Sequence, residues 1–142
     1  GSDLDLMRDR CHEEDINNVI FKGFVSKNLI PGIIKRADLL LLNYKTNPTI
    51  TRYGSSQNKL FEYMAAGKPI LSNAVFGYDL INRYDCGASI DISSGQEYAR
   101  IIKRFLDMDS HTYAQICANA RKAASNFDFG SLTEKYVEAI SR

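Results

Sequence analysis

The sequence predicts an α/β fold, a doubly wound parallel sheet with helices between its strands. Three observations predict it. Short apolar runs at Val19–Phe21, Ala37–Leu42, Pro69–Ser72 and Gly87–Asp91 read as strands. Segments with helical spacing separate these runs, and strand–helix alternation marks a parallel sheet. Ala37–Leu42 is apolar throughout, the pattern of a strand covered on both faces.

The elements follow in order. A Ser-Asp cap signal at Ser2 opens a helix to about Glu14, with Leu4, Met7 and Cys11 forming one apolar stripe. Gly1-Ser2 fits a tag remnant and equally the native end of a strand-to-helix turn. Asn17-Asn18 turns the chain into the first strand, which closes at Gly23. Ser26 begins a short helical stretch through Leu29, Ile30, Ile33 and Ile34, with Pro31 and Gly32 pointing to a turn in its early part. After the second strand, Asn43 to Gly54 has no periodicity and reads as a long loop, the kind that often carries function. Asn58–Ala66 is a helix that stops at Gly67, and Pro69–Ser72 follows as a strand. Asp79–Arg83 is a short helix. Ser93-Ser94-Gly95 starts a long helix with Tyr98, Ile101, Ile102, Phe105 and Leu106 on one face. Asp109-Ser110 caps another, with Tyr113, Ile116, Cys117 and Ala120 inward. Phe127–Gly130 reads as a break, after which Ser131 and Leu132 open a last helix whose Leu132, Tyr136 and Ile140 read as core.

The stretch Gly54–Ser72 organises the rest. Ser55 and Ser56 are good cap residues. The residues three further on are Asn58 and Lys59, so there is no capping box and no carboxylate in the first turn. A helix start with free N–H groups and a lysine suits an anion. Lys59 and Glu62 are three apart and share a face. Cation, carboxylate and amide cradle together suit a nucleotide: Lys59 and the amides for phosphate, Glu62 for ribose hydroxyls. The same residues also fit a plain cap and a solvated surface pair, and spacing alone leaves both readings open. In a parallel sheet, ligands bind outside the carboxyl ends of the strands. The loops Phe24–Asn28, Asn43–Ser56 and Asn73–Asp79 all follow strands, so they gather beside the Lys59 helix.

Composition bounds the rest. The 142 residues are one domain's length, 44% hydrophobic and 25% charged, which suffices for a single core. A net charge of +1 argues against nucleic acid and against acidic membranes. Cys11, Cys86 and Cys117 are odd in number and far apart, and read as buried thiols of a reducing compartment. His12 and His111 show no metal-ligand spacing. No apolar run is long enough to span a bilayer, and no signal peptide or repeat is visible.

Three segments together resemble a known family: Val-Ile-Phe-Lys-Gly-Phe-Val from Val19, Ala-Asp-Leu-Leu-Leu-Leu from Ala37, and Gly-Ser-Ser-Gln-Asn-Lys-Leu-Phe-Glu-Tyr-Met-Ala-Ala-Gly-Lys-Pro-Ile-Leu from Gly54. They resemble the C-terminal, donor-nucleotide half of a GT-B glycosyltransferase of family 4 (group 1). Tyr53–Leu71 is most similar to bacterial sugar-amine transferases of O-antigen and capsule assembly. The resemblance implies a Rossmann-like sheet forming one truncated half of a GT-B fold. It makes residues 1–142 a nucleotide-sugar-binding domain whose first strands and N-terminal acceptor domain lie elsewhere. It implies a retaining transferase acting on a nucleotide-sugar, UDP-linked, with a glycan or lipid-linked acceptor in surface polysaccharide synthesis. The donor is then the substrate and no cofactor is implied; the setting is cytoplasmic, with the full-length protein peripheral on the inner membrane face. The fragment alone is expected to be inactive.

By the same resemblance, Glu62 matches the second Glu of the family's E-x7-E motif, which binds ribose hydroxyls. Lys59 and the backbone of Ser55, Ser56 and Asn58 match the region that meets donor phosphates and sugar. Gly23-Phe24-Val25 matches the turn whose backbone meets the base. No catalytic residue and no metal ligand is carried over. The first Glu of the motif falls on Gly54, so that carboxylate is missing, and Gln57 stands where related branches have Pro. The basic phosphate clamp of the family falls upstream of Gly1. The alternative is a non-catalytic nucleotide-sugar-binding or scaffold module of the same fold. A sugar-nucleotide epimerase or hydrolase would need an acid/base pair that the sequence does not offer.

Overall fold

The computed structural model describes residues 3–45, 48–54 and 57–141, and for 48–50 it describes the backbone only. The expected caps Ser55 and Ser56, and the Gly1-Ser2 start, lie outside the described residues. The chain divides into two compact units, Gly1–Ile30 and Pro31–Arg142.

In the first unit, α1 (Leu4–Glu13) forms as the sequence predicts, but none of its residues is buried. Its Arg10 donates to Glu14 at 2.7 Å, one turn on. Val19–Phe21 is not a strand among the described residues, which corrects the expectation of a first strand there. Val19 is 47% exposed and Ile20 75%. β-branched residues favour a strand only when a neighbour pairs with them, and none does here. Lys27–Leu29 is a 3-10 turn leading into α2 (Ile30–Ile34), so the expected turn before Ile33 is present.

The second unit carries the sheet. Its strands β1 (Leu40–Leu42), β2 (Ile70–Ser72) and β3 (Gly87–Ser89) pair in parallel in that order. The register sets Ile70 between Leu40 and Gly87, and Ser72 between Leu42 and Ser89. The architecture is a Rossmann-like α/β sheet with flanking helices, as the strand–helix alternation predicts. β2 is central and fully buried, but β1 is an edge strand with Leu41 41% exposed. Ala37–Leu42 is therefore not covered on both faces along its length.

Between β1 and β2 lie α3 (Pro48–Tyr53) and α4 (Asn58–Ala66). The sequence reads the region of α3 as loop, because its one turn and a half is too short for a period to register. Pro48 at its first position has a fixed φ suited to a helix start. α4 ends at Gly67 in the left-handed conformation, as expected. Its Leu60 and Met64 are buried one turn apart and help fill a core with Leu42, Ile70, Leu80, Ile81, Cys86, Ala120 and Ala123. The last two belong to α7 (Ser110–Ala124), which packs on α4. Phe61 and Tyr84 close this side against Phe127, with ring centroids 5.1 and 5.9 Å away.

α5 (Leu80–Arg83) and α6 (Gly95–Leu106) start where Asp79 and Ser94 cap them. Leu106 is 69% exposed, so the apolar face of α6 is not covered at its last residue. α8 (Phe129–Ile140) begins earlier than predicted. Asp128, read as part of a break, is its cap and accepts the Ser131 N–H at 2.9 Å. No residue of α8 is buried, and Tyr136 and Ile140 are each 65% exposed. Spacing thus located an amphipathic helix but not a partner for its apolar side. The cysteines are free thiols; Cys86 and Cys117 are buried, whereas Cys11 is only half-buried. Burial pushes the Cys86 thiol up to about 12, so it stays protonated at neutral pH. None of the described helices is long and apolar enough to cross a membrane.

Candidate functional site

The three parallel strands end at Leu42, Ser72 and Ser89, so the loops that follow them leave from one edge of the sheet. The gap between strand ends is closed from within. Ser89 donates its hydroxyl to Asp79 at 3.0 Å, and Asn82 bonds both Asp79 and the Ser89 backbone. The Ser72 hydroxyl donates to the Ala74 carbonyl at 2.8 Å. What remains beneath Tyr44 and Tyr78 is a cavity of about 10 Å³, too small for any ligand beyond a water. The space between the strand ends therefore has no room for a nucleotide.

Those loops are fastened to one another. Asn73 accepts the Tyr44 N–H at 2.7 Å and donates to the Tyr44 carbonyl at 3.0 Å. The Val75 N–H donates to Asp91 at 3.0 Å, tying the loop after β2 to the loop after β3. The Gly77 N–H donates to the Thr51 carbonyl at 2.7 Å. A Cβ on Gly77 would lie 2.0 Å from the Arg52 carbonyl oxygen, so only glycine allows this approach. Tyr78 in turn lies against Gly54, whose φ is +104°. A side chain at Gly54 would be strained by that φ, and its Cβ would sit 3.1 Å from the Cβ of Tyr78.

α4 starts beside Gly54, and its first turn differs from those of the helices that follow. Gln57 is in the extended cap conformation, but its side chain makes no cap bond, and no acid occupies the first turn. In α5, α7 and α8 an aspartate accepts the first-turn amides, from Asp79, Asp109 and Asp128. In α6 the Ser94 hydroxyl accepts the Glu97 N–H, and the Glu97 carboxylate reaches back to Ser93. Those bonds hold Glu97, Asp109 and Asp128 below the usual carboxylate range. Their charge offsets the positive ends of their own helices. α4 has no such carboxylate; Lys59 adds positive charge instead.

Asn58, Lys59 and Glu62 are all exposed, on the side of α4 turned away from Leu60 and Met64. Lys59 and Glu62 make no ion pair with each other among the described residues. Asn58, Lys59 and Glu62 thus share the exposed side of α4, and Gly54, which follows α3, lies against Tyr78. Ser55 and Ser56 lie outside the described residues, and the first cap position that is described is Gln57. Phe24, 96% exposed, and Val25, half-buried, belong to the first unit. Sequence reading placed the loop Asn73–Asp79 at this edge, with Gly77 as a turn residue and Asp79 at a helix start, but gave none of Asn73, Gly77 and Asp79 a fastening role. Asp79 carried a signal, an aspartate before an apolar run, and Gly77 a weaker one; nothing local marks Asn73.

Among the described residues no group of three or more His, Cys, Asp or Glu could hold a metal ion. An open cleft of about 270 Å³ lined by Asn73, Asp91, Ile92 and Ser93 lies at the same edge, below the roughly 300 Å³ where small-molecule pockets begin.

Comparison with known proteins agrees with this architecture. The family profile described as glycosyl transferases group 1 matches residues 1–123. Among solved structures, Anabaena Alr3699/HepE in complex with UDP is similar at 25% identity and a TM-score of 0.76, over 97% of this chain and 36% of that one. The same protein in complex with UDP-glucose is similar in fold, at 23% identity and a TM-score of 0.71, with the same coverage. The chain therefore spans about a third of the length of the structures it matches. No curated protein matches it in sequence. With an α/β sheet of parallel strands and a profile match over most of its length, the chain belongs to the group 1 glycosyl transferases.

Proposed function

We propose that this chain is the donor-nucleotide domain of a retaining glycosyltransferase. The parent enzyme moves a hexosyl or hexosaminyl unit from a UDP-sugar to a glycan or lipid-linked acceptor in surface polysaccharide synthesis. The resemblance of Tyr53–Leu71 to the sugar-amine transferases supports a hexosaminyl donor. The observation that carries this reading is the first turn of α4, which among the described residues holds no acid and receives no cap bond from the Gln57 side chain, with exposed Lys59 within it, after the carboxyl end of β1. Binding of UDP and UDP-glucose by Alr3699/HepE supports the choice of nucleotide.

The chemistry follows from charge. When the sugar–phosphate bond breaks, negative charge grows on the departing diphosphate. Pre-aligned amides, a helix end worth about half a positive charge, and a lysine stabilise that charge more than they stabilise the intact donor. Glu62, one turn along, accepts from ribose hydroxyls. The edge is open rather than a closed pocket, which suits a donor surface completed by another domain.

Titration of the chain with UDP, GDP and ADP tests this. UDP is expected to bind best, and Lys59→Ala and Glu62→Ala are each expected to weaken it on the order of ten- to a hundred-fold. Wild-type affinity in both variants would overturn the site.

A second reading, a nucleotide-sugar-binding module without catalysis, is favoured by Gly54. Its positive φ and its contact with Tyr78 disfavour the carboxylate that the family motif has at this position. Assay of the full-length protein with UDP-sugars separates the two: turnover favours the enzyme, and binding without turnover favours the module.

A further inference from the structure

We propose that Asn73 is a positioning residue for the donor site, acting through its two-point hold on Tyr44; this rests on the donor-site reading above. Asn73 is the first residue beyond β2. Its own N–H still donates to the Leu42 carbonyl at 3.3 Å, so the β1–β2 ladder continues one step into the loops. There the main chains part, and the side chain takes over. Its Oδ1 accepts from the Tyr44 N–H at 2.7 Å and its Nδ2 donates to the Tyr44 carbonyl at 3.0 Å. On the other side, the Asn73 carbonyl accepts the Ile92 N–H at 3.4 Å. One half-buried residue therefore bonds the exits of all three strands.

The chemistry of the hold is specific. It needs one acceptor and one donor on the same short side chain, which a primary amide supplies. Aspartate keeps the acceptor but, when ionised, sets a charge against the Tyr44 carbonyl. Alanine supplies neither group.

What the hold fixes is the exit of β1 toward the chain that leads to α4. Tyr44 meets Phe76 edge to face, with centroids 4.8 Å apart and planes at 76°. The segment leaving Tyr44 is caught again where Gly77 bonds Thr51, and at Gly54 against Tyr78. These fastenings hold the connection from β1 to α4 at Tyr44, Thr51 and Gly54. α4 itself is anchored separately, through Leu60 and Met64. Loss of the Asn73 hold thus loosens the approach to the donor site and leaves the core in place.

The test measures UDP binding and amide hydrogen exchange on the 142-residue chain and on its Asn73→Ala, Asn73→Asp and Lys59→Ala variants, well below their melting temperatures. If the wild-type arrangement falls to about a tenth of the population, apparent UDP affinity falls about ten-fold in both Asn73 variants. Exchange should quicken at Tyr44 and across Thr51–Gly54, with Met64 and Ala120 keeping wild-type protection. A purely structural role would raise exchange throughout the core, and that result overturns the proposal. So does UDP affinity within about two-fold of wild type in both Asn73 variants while Lys59→Ala binds weakly, which leaves the donor site standing. If Lys59→Ala binds like the wild type, the donor-site reading fails and takes this proposal with it.

Discussion

Two glycines and a lysine bear the clearest residue-level consequences. Gly77 has no room for a methyl group, since the Arg52 carbonyl oxygen occupies its place. Gly77→Ala is expected to cost about 1–3 kcal/mol, read as a lowered urea midpoint with an unchanged slope. Gly54 poses a different problem. Restoring the family's carboxylate with Gly54→Glu places a side chain at a φ of +104° against Tyr78, and should destabilise by about 1–3 kcal/mol. A gain in stability from that substitution would show that the loop relaxes freely. Lys59 and Glu62 were legible in the sequence as a pair three apart, and the structure leaves both exposed on one side of α4. Asn73 was not legible. Its partner Tyr44 is 29 residues away, and only the parallel register of β1 and β2 brings them together.

Helix starts were the most readable elements, because the caps act locally. Asp79, Ser94 and Asp109 were each expected near a helix start and each accepts a first-turn amide. Asp128 was hidden by the Phe-Gly that follows it, which mimics a break. Short or unpaired elements were the least readable: α3 is six residues long, and Val19–Phe21 has strand-forming residues but no ladder. The caps also give a pH dependence. Glu97, Asp109 and Asp128 have folded pKa values depressed below the ordinary values of about 4.3 for Glu and 3.9 for Asp. Their contribution is fully present above those ordinary values and is lost as pH falls through the depressed ones. The melting temperature should therefore decline below about pH 4, and less steeply in Asp109→Asn, which has no charge there to lose. An identical acid limb in that variant would remove Asp109 from the account. At the α4–α7 contact, Met64 is fully buried, and Met64→Ala should cost about 2–5 kcal/mol.

For the molecule as a whole, the sheet puts its strand exits on one edge and ties the space between them with Asp79 and the two serines. The α/β class was readable because alternation of strands and helices is a property of the whole chain. Burial was less so: the stripe on α8 has core spacing, yet its Tyr136 and Ile140 are each 65% exposed. Spacing reports which side of a helix is apolar, and the neighbours decide whether that side is covered. Backbone amide shifts of the ¹⁵N-labelled chain under UDP titration test the donor site at the level of single residues. The largest changes are expected at Asn58, Lys59 and Leu60 in the acid-free first turn of α4, with the capped first turns of α6 and α7 unmoved. Changes confined to another part of the chain, or saturation by UDP with the α4 amides unshifted, would contradict it.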